Sequence, residues 1–205
     1  MHGVAAATPA HRFLREQTRD AHEAAEATAG MRWLMGEALD ESAYEAVLGA
    51  KLELFRAWET GRGEWLLSIR EQWGYASRVT SLEADLCRSA PCARPVARKA
   101  RSYSDTAGWG EARSCSDAVC WGELYVIEGS SLGARVIVKH LHAMLPSHPH
   151  HFYAMGETSP TDWRRFQSVL DAALPDDDAR HDALTGARSM FARFQQTLQD
   201  AVAHV

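Results

Sequence analysis

A chain of 205 residues, 46% hydrophobic and 24% charged, has the ordinary mix of one globular domain large enough to bury its core without cross-links. Its formal net charge of -5 argues against nucleic acid as a partner, because binding phosphate needs a concentrated excess of Lys and Arg. No stretch approaches the ~18 consecutive apolar residues of a spanning helix, and Met1-His2-Gly3-Val4-Ala5 lacks the basic flank and apolar core of a signal peptide, so a cytoplasmic protein without a membrane partner is expected.

One domain over residues 1–205 is expected, with 1–8 a disordered lead-in. Thr8-Pro9 predicts a helix start, with a hydroxyl at the cap and a proline at the first helical position, where its missing N–H costs nothing. This helix should run over 9–28. Its large apolar side chains stop at Phe13 and Leu14, and the inward positions beyond are Thr18, Ala21, His22 and Ala25. A core face that turns small and polar leaves room for a ligand.

Asp40 or Ser42 can cap the next helix, on which Tyr44, Val47, Leu48, Leu52, Phe55 and Trp58 recur at the spacing of an amphipathic face until Gly61 and Gly63 interrupt it. Shorter helical pieces are expected over 65–72 and 79–87. The stretch 91–110, rich in Pro, Gly, Ser and Arg and containing the basic run Arg94 to Arg101, reads as a solvated connection and the least ordered part of the domain. From Ser116 to Met144 a mostly apolar pattern through Val119, Trp121, Leu124, Ile127, Leu132, Val136, Ile137 and Leu141 reads as a helix that bends at its glycines. Ser159-Pro160 opens another with Trp163, Phe166, Val169 and Leu170. The last helix carries Leu184, Ala187, Phe191, Phe194 and Leu198 on one stripe. With no alternating strand pattern and no repeats, the fold class is all-α, a single-domain helical bundle.

Cys87, Cys92, Cys115 and Cys120 match neither redox nor zinc spacing and read as four reduced thiols. His148, His150 and His151, with His140 and His142 nearby, are dense enough to suggest a transition-metal site. Beside Pro146 and Pro149 they read better as an exposed connection.

Two segments carry the functional signal. In an unbroken helix His22 and Arg15 differ by about 20° in direction and about 10 Å along the axis, roughly the reach from a haem iron to its propionates. Glu26, one turn beyond His22, can accept the imidazole N–H not used for iron. A solvated helical pair with a surface arginine would have the same spacing. In the second segment, Gly129 and Gly133 each cost roughly 1 kcal/mol relative to alanine in a helix. They share a face with Tyr125, which would let a planar ligand approach the backbone, although close helix packing would use the same spacing. Ser130 and Ser131 add hydroxyls for water or freed carbonyls. Phe191 and Phe194 wall the proximal side of such a pocket or are ordinary core aromatics.

Taken together, Leu14, Arg15, Thr18, His22 and Glu26, followed by Leu124, Tyr125, Val126, Glu128, Gly129, Ser130, Leu132 and Gly133, resemble the haem oxygenases, in particular the bacterial branch that accompanies phytochromes. Both motifs stand in the family's order and separation, and Val136-Ile137-Val138-Lys139-His140-Leu141 is similar to the same branch. The resemblance implies a haem oxygenase-like bundle with a glycine-kinked distal helix. It implies oxidative opening of haem, at once cofactor and substrate, to biliverdin with release of carbon monoxide and iron. Molecular oxygen and an external electron donor, a ferredoxin or reductase, would be consumed, and a bacteriophytochrome is the implied bilin acceptor, with iron acquisition the other use.

By the same resemblance His22 is the iron ligand. Arg15, Thr18, Glu26, Tyr125 and Phe191 bind haem, and Gly129, Ser130 and Gly133 form the catalytic distal surface. Ser130 departs from the mammalian relatives, which carry an aspartate there, and leaves the proton-delivery group open among waters held by Ser130, Tyr125 or a more distant residue. The rival reading is a haem carrier or sensor of the same fold that performs no chemistry.

Overall fold

A computed structural model describes residues 8–87, 116–157 and 160–202. The N-terminal lead-in, the 91–110 stretch with its basic run, Cys92, Cys115 and Ser159 lie outside the described residues. Among the described residues the regular elements are all helical: α1 (Ala10–Gln17), α2 (Arg19–Glu26), α3 (Ala29–Leu34), α4 (Glu41–Gly61), α5 (Gly63–Ser68), α6 (Arg78–Leu86), α7 (Asp117–Met144), α8 (His151–Ala154) with a 3₁₀ turn (Met155–Glu157), α9 (Pro160–Ala173) and α10 (Asp177–Val202). None of these helices is long and apolar enough to cross a membrane.

The expected helix over 9–28 is in fact two. Thr18 breaks it, with φ -112° and ψ 9°. Its hydroxyl donates to the Leu14 carbonyl at 2.7 Å, and this back-bond from a β-branched, buried residue competes with the regular ladder. Pro9 occupies the cap position rather than the first helical one, its carbonyl accepting from the Phe13 N–H at 3.0 Å. Asp40 does cap α4, accepting from the Ala43 N–H at 2.8 Å. Ser77 and Ser116 cap α6 and α7 in the same way.

α10 packs along α7 and α4, and the predicted apolar stripe of α10 is buried against them. The contact of α7 with α10 is backbone on backbone. A Cβ on Gly122 would meet the Ala183 carbonyl, and one on Gly186 would meet the Val119 carbonyl. A buried carboxylate fastens α4 to α7 beside it. Glu123, 3% exposed, accepts from Trp58 Nε1 at 2.9 Å and from both sides of the Arg62 guanidinium, at 2.9 and 3.0 Å. Glu59 gathers the start of α6, accepting from Tyr75 Oη, Ser77 Oγ and the N–H groups of Arg78 and Val79.

The histidine-rich connection is not exposed throughout. His150 is fully buried in a left-handed conformation, φ 52°. One ring nitrogen lies 2.9 Å from the Leu145 carbonyl and the other 2.9 Å from Tyr44 Oη, so a neutral imidazole satisfies both as donor to one and acceptor from the other. The core formed by Tyr44 and Tyr153 draws this segment inward. Asp85 supports it by accepting from the N–H groups of His151 and Phe152.

Gly122→Ala would press a methyl onto the Ala183 carbonyl and should cost about 3 kcal/mol or more. Urea unfolding measures this, and a variant within about 0.5 kcal/mol of the parent would contradict the backbone contact. A pH titration of stability tests His150. Burial pushes its imidazole below the ordinary range, more than the Leu145 carbonyl restores. The unfolded chain therefore takes up the proton more readily, so the contribution is complete above about pH 6.5 and is lost as pH falls below it. Melting temperature should drop between pH 7 and 5, and less steeply in His150→Asn.

Candidate active site

One cavity of about 1080 Å³ opens among these helices. That is about the top of the ~300–1,000 Å³ range of small-molecule pockets, room enough for a macrocycle. Arg15 from α1, Thr18 at the break, and His22 and Glu26 from α2 line one part of its wall. Tyr125, Gly129, Ser130 and Gly133 from α7 line another, and Phe191 and Phe194 of α10 a third. Most residues of the two sequence segments thus share a single space, while Leu14 and Leu124 are buried in the core and Glu128 lies outside the lining.

His22 and Glu26 keep side-chain exposures of 59% and 64%, so neither is consumed by core packing. His22 Nδ1 stands 3.7 Å from Glu26 Oε2, beyond hydrogen-bond length but on the carboxylate's side, which leaves Nε2 for a ligand. The edge of Phe191 meets the imidazole at 5.9 Å and 74°, limiting its rotation. Because Thr18 separates α1 from α2, the relation of Arg15 to His22 is set by that break rather than by one continuous helix. Arg15 lies near enough to Tyr125 to counter electrostatically the burial that raises the Tyr125 phenol above its ordinary range.

The two glycine explanations separate here. A Cβ on Gly133 would meet nothing within 4 Å, and one on Gly129 only the Trp163 ring at 3.5 Å. Helix packing needs neither, since Gly122 and Gly186 do that work elsewhere on α7 and α10. α7 is helical throughout, with both glycines inside it. Ser130 donates its hydroxyl back to the Ile127 carbonyl at 2.7 Å, so it is left with lone pairs to offer. Ser131 instead faces a charge: Arg78, 4% exposed, approaches it at 3.3 Å while pairing with Glu128 at 2.8 Å. Trp73 Nε1 completes that carboxylate's bonds at 3.1 Å.

Sequence reasoning missed Arg78, Trp163 and Lys51 among the lining residues. Arg78 had no local signal, since its partners are about fifty positions away. Lys51 had one. It lies seven residues after Tyr44 and four before Phe55, on the apolar face of α4, where a lysine is out of place.

Among the described residues, the convergent group of ligating side chains is Glu41, Glu45 and His148, outside the cavity lining. His148 already pairs with Glu41 there at 3.1 Å. The cavity offers no such set, so an ion held by His22 must bring most of its own donors. A metalloporphyrin does that: its ring fills the equatorial positions and needs a single imidazole from the protein.

Comparison with known proteins agrees with the cavity. The family model described as Heme oxygenase matches residues 8–200. A curated heme oxygenase from Xanthomonas campestris pv. campestris (strain 8004) is 37% identical over 165 residues, 78% of this chain and 91% of that one. Among solved structures, heme oxygenase from Leptospira interrogans aligns with a TM-score of 0.76 at 19% identity, covering 94% of this chain and all, 100%, of the other. Heme oxygenase-1 from the cyanobacterium Synechocystis sp. PCC6803, solved in complex with heme, aligns with a TM-score of 0.76 at 16% identity over 96% of this chain and 94% of its own. The fold is therefore theirs, and by its sequence the chain belongs to the haem oxygenase family.

Proposed function

We propose that this protein opens haem oxidatively to biliverdin, releasing carbon monoxide and iron, with His22 as the iron ligand. The observation that carries the reading is one cavity holding both an imidazole left unburied and two helical glycines, Gly133 open onto space and Gly129 facing the edge of the Trp163 ring. Haem bound there supplies the iron at which oxygen is reduced, and the electrons come from an external ferredoxin or reductase. A bacteriophytochrome is the bilin acceptor in this reading.

The chain's own contributions follow from its geometry. Glu26 stands on the Nδ1 side of His22, 3.7 Å away, so Nε2 is the nitrogen offered to the iron. Phe191 meets that ring edge-on and narrows its rotation on one side. Thr18, its hydroxyl spent on Leu14, acts by setting the break between the helix of Arg15 and the helix of His22. Arg15 pairs with a propionate and Tyr125 stands beside it, tying ring orientation to helix position. Gly129 and Gly133 admit the ring's distal face to within contact of the backbone, confining a small gas between them. Ser130, with Oγ donating to Ile127, accepts a hydrogen bond from water, and Ser131 is held by Arg78. Ser130, at the position where the mammalian relatives have an aspartate, would order water there together with Ser131.

The direct test is to add one equivalent of haemin, then a ferredoxin system or ascorbate in air with an iron chelator. Loss of the Soret band with a broad red absorption is expected, whereas a Soret band that persists would favour the carrier or sensor and overturn the catalytic reading. His22→Ala should abolish turnover, and undiminished biliverdin formation by that variant would remove His22 from the iron. Gly133→Ala separates stability from function. It should stabilise the ligand-free protein by about 0.5–1 kcal/mol, because Ala is the better helix former and meets no neighbour, while slowing turnover by narrowing the distal space. Paired melting curves and rates would show it.

A further inference from the structure

Lys51 is a charge that the reading above leaves unused. Its ammonium stands over the rings of Phe194, Phe152 and Tyr153, at 5.4, 5.5 and 6.0 Å from their centres, and the residue lines the cavity. Among the described residues it makes no hydrogen bond or ion pair. Ring faces attract a cation, but less than a carboxylate does, and they do not replace lost hydration. Burial has pushed the ammonium down to about 8, so at neutral pH it is still mostly protonated. Arg12, Arg15 and Arg19 line the α1–α2 wall and are exposed, whereas Lys51 comes from α4 among aromatic side chains. A ligand bearing two carboxylates therefore meets cations on two different walls.

We propose that Lys51 is a second carboxylate anchor, taking one propionate of the haem and thereby setting how far the ring is turned in its own plane. The inference rests on the haem reading of this cavity and deepens it. The two propionates sit side by side on the macrocycle. If both went to the α1–α2 arginines, the meso bridge farthest from them would point into the cavity. Drawing one of them to Lys51 turns the ring and brings a neighbouring bridge to that place. Lys51 makes no bond to the reacting atoms. It is a positioning residue, and its signature is the regiochemistry of the bilin and the preference for free propionates.

The experiment titrates the wild-type protein and Lys51→Met with haemin and with haemin dimethyl ester, follows the Soret band, and separates the bilin isomers after turnover. Lys51→Met should bind haemin at least tenfold more weakly, bind the dimethyl ester no worse than wild type does, and give a changed isomer pattern. The ligand-free variant should melt at or above the wild-type temperature, since methionine removes a buried charge at similar volume. A lysine serving only to pack against its rings would lower it. Equal haemin affinity and an unchanged isomer pattern would overturn the anchor. A wild-type protein showing no Soret shift with haemin would overturn the haem reading itself, and the two failures are distinguishable.

Discussion

Backbone contact between α7 and α10 is the constraint on which the site depends. Gly122 against the Ala183 carbonyl and Gly186 against the Val119 carbonyl bring the two longest helices closer than any side chain would allow. Glu123, bonded by Trp58 and Arg62, ties α4 to the same region of α7. α7 is anchored on both sides of the cavity, by buried Cys120 to Leu124, Val126 and Ile127 before it and by Ala134, Ile137, Val138 and Leu141 after it, where Gly156 packs against the Ser131 carbonyl. That is why Gly129 to Gly133 can border an open cavity without the helix losing its place.

The polar groups around the cavity are held on the same principle, by partners on other helices. Arg78 is fixed by Glu128 and by its own chain at the Ala76 carbonyl, so it presents a guanidinium to Ser131 without closing over the cavity. Its own N–H is bound by Glu59, which leaves the start of α6 little freedom. Each buried charge in this half of the molecule has a counter-charge or a set of hydrogen bonds, as burial demands. Among the described residues Lys51 differs in having neither, and a charge of that kind beside a cavity points to a group supplied by the ligand.

The site also shows the stability a binding cavity forgoes. Two helical glycines and an ammonium without a hydrogen-bonding partner each lower the stability of the ligand-free chain, and an imidazole is left exposed at the same cavity. A bound dianionic metalloporphyrin would answer all of these, through iron at His22, ring contact at the glycines and propionates at the cations.

Much of this was legible in the residues themselves. Apolar spacing predicted an all-helical chain and the buried stripe of α10, Asp40 announced the start of α4, and the two motif segments named the residues that share the cavity. These are local matters: a helix period states which face turns inward, and a cap needs only its next three residues. What that inward face meets depends on distant chain, and there the tertiary structure decided. It assigned Gly122 and Gly186 to backbone contact between helices, Gly129 to the edge of the Trp163 ring and Gly133 to open space, although their chemistry is identical. It broke the first helix at Thr18, buried His150 behind Tyr44, and joined Arg78 to Glu128. It also placed Lys51, on a face that reads as core, beside a cavity, because periodicity records that a position points inward but not whether protein or ligand waits there.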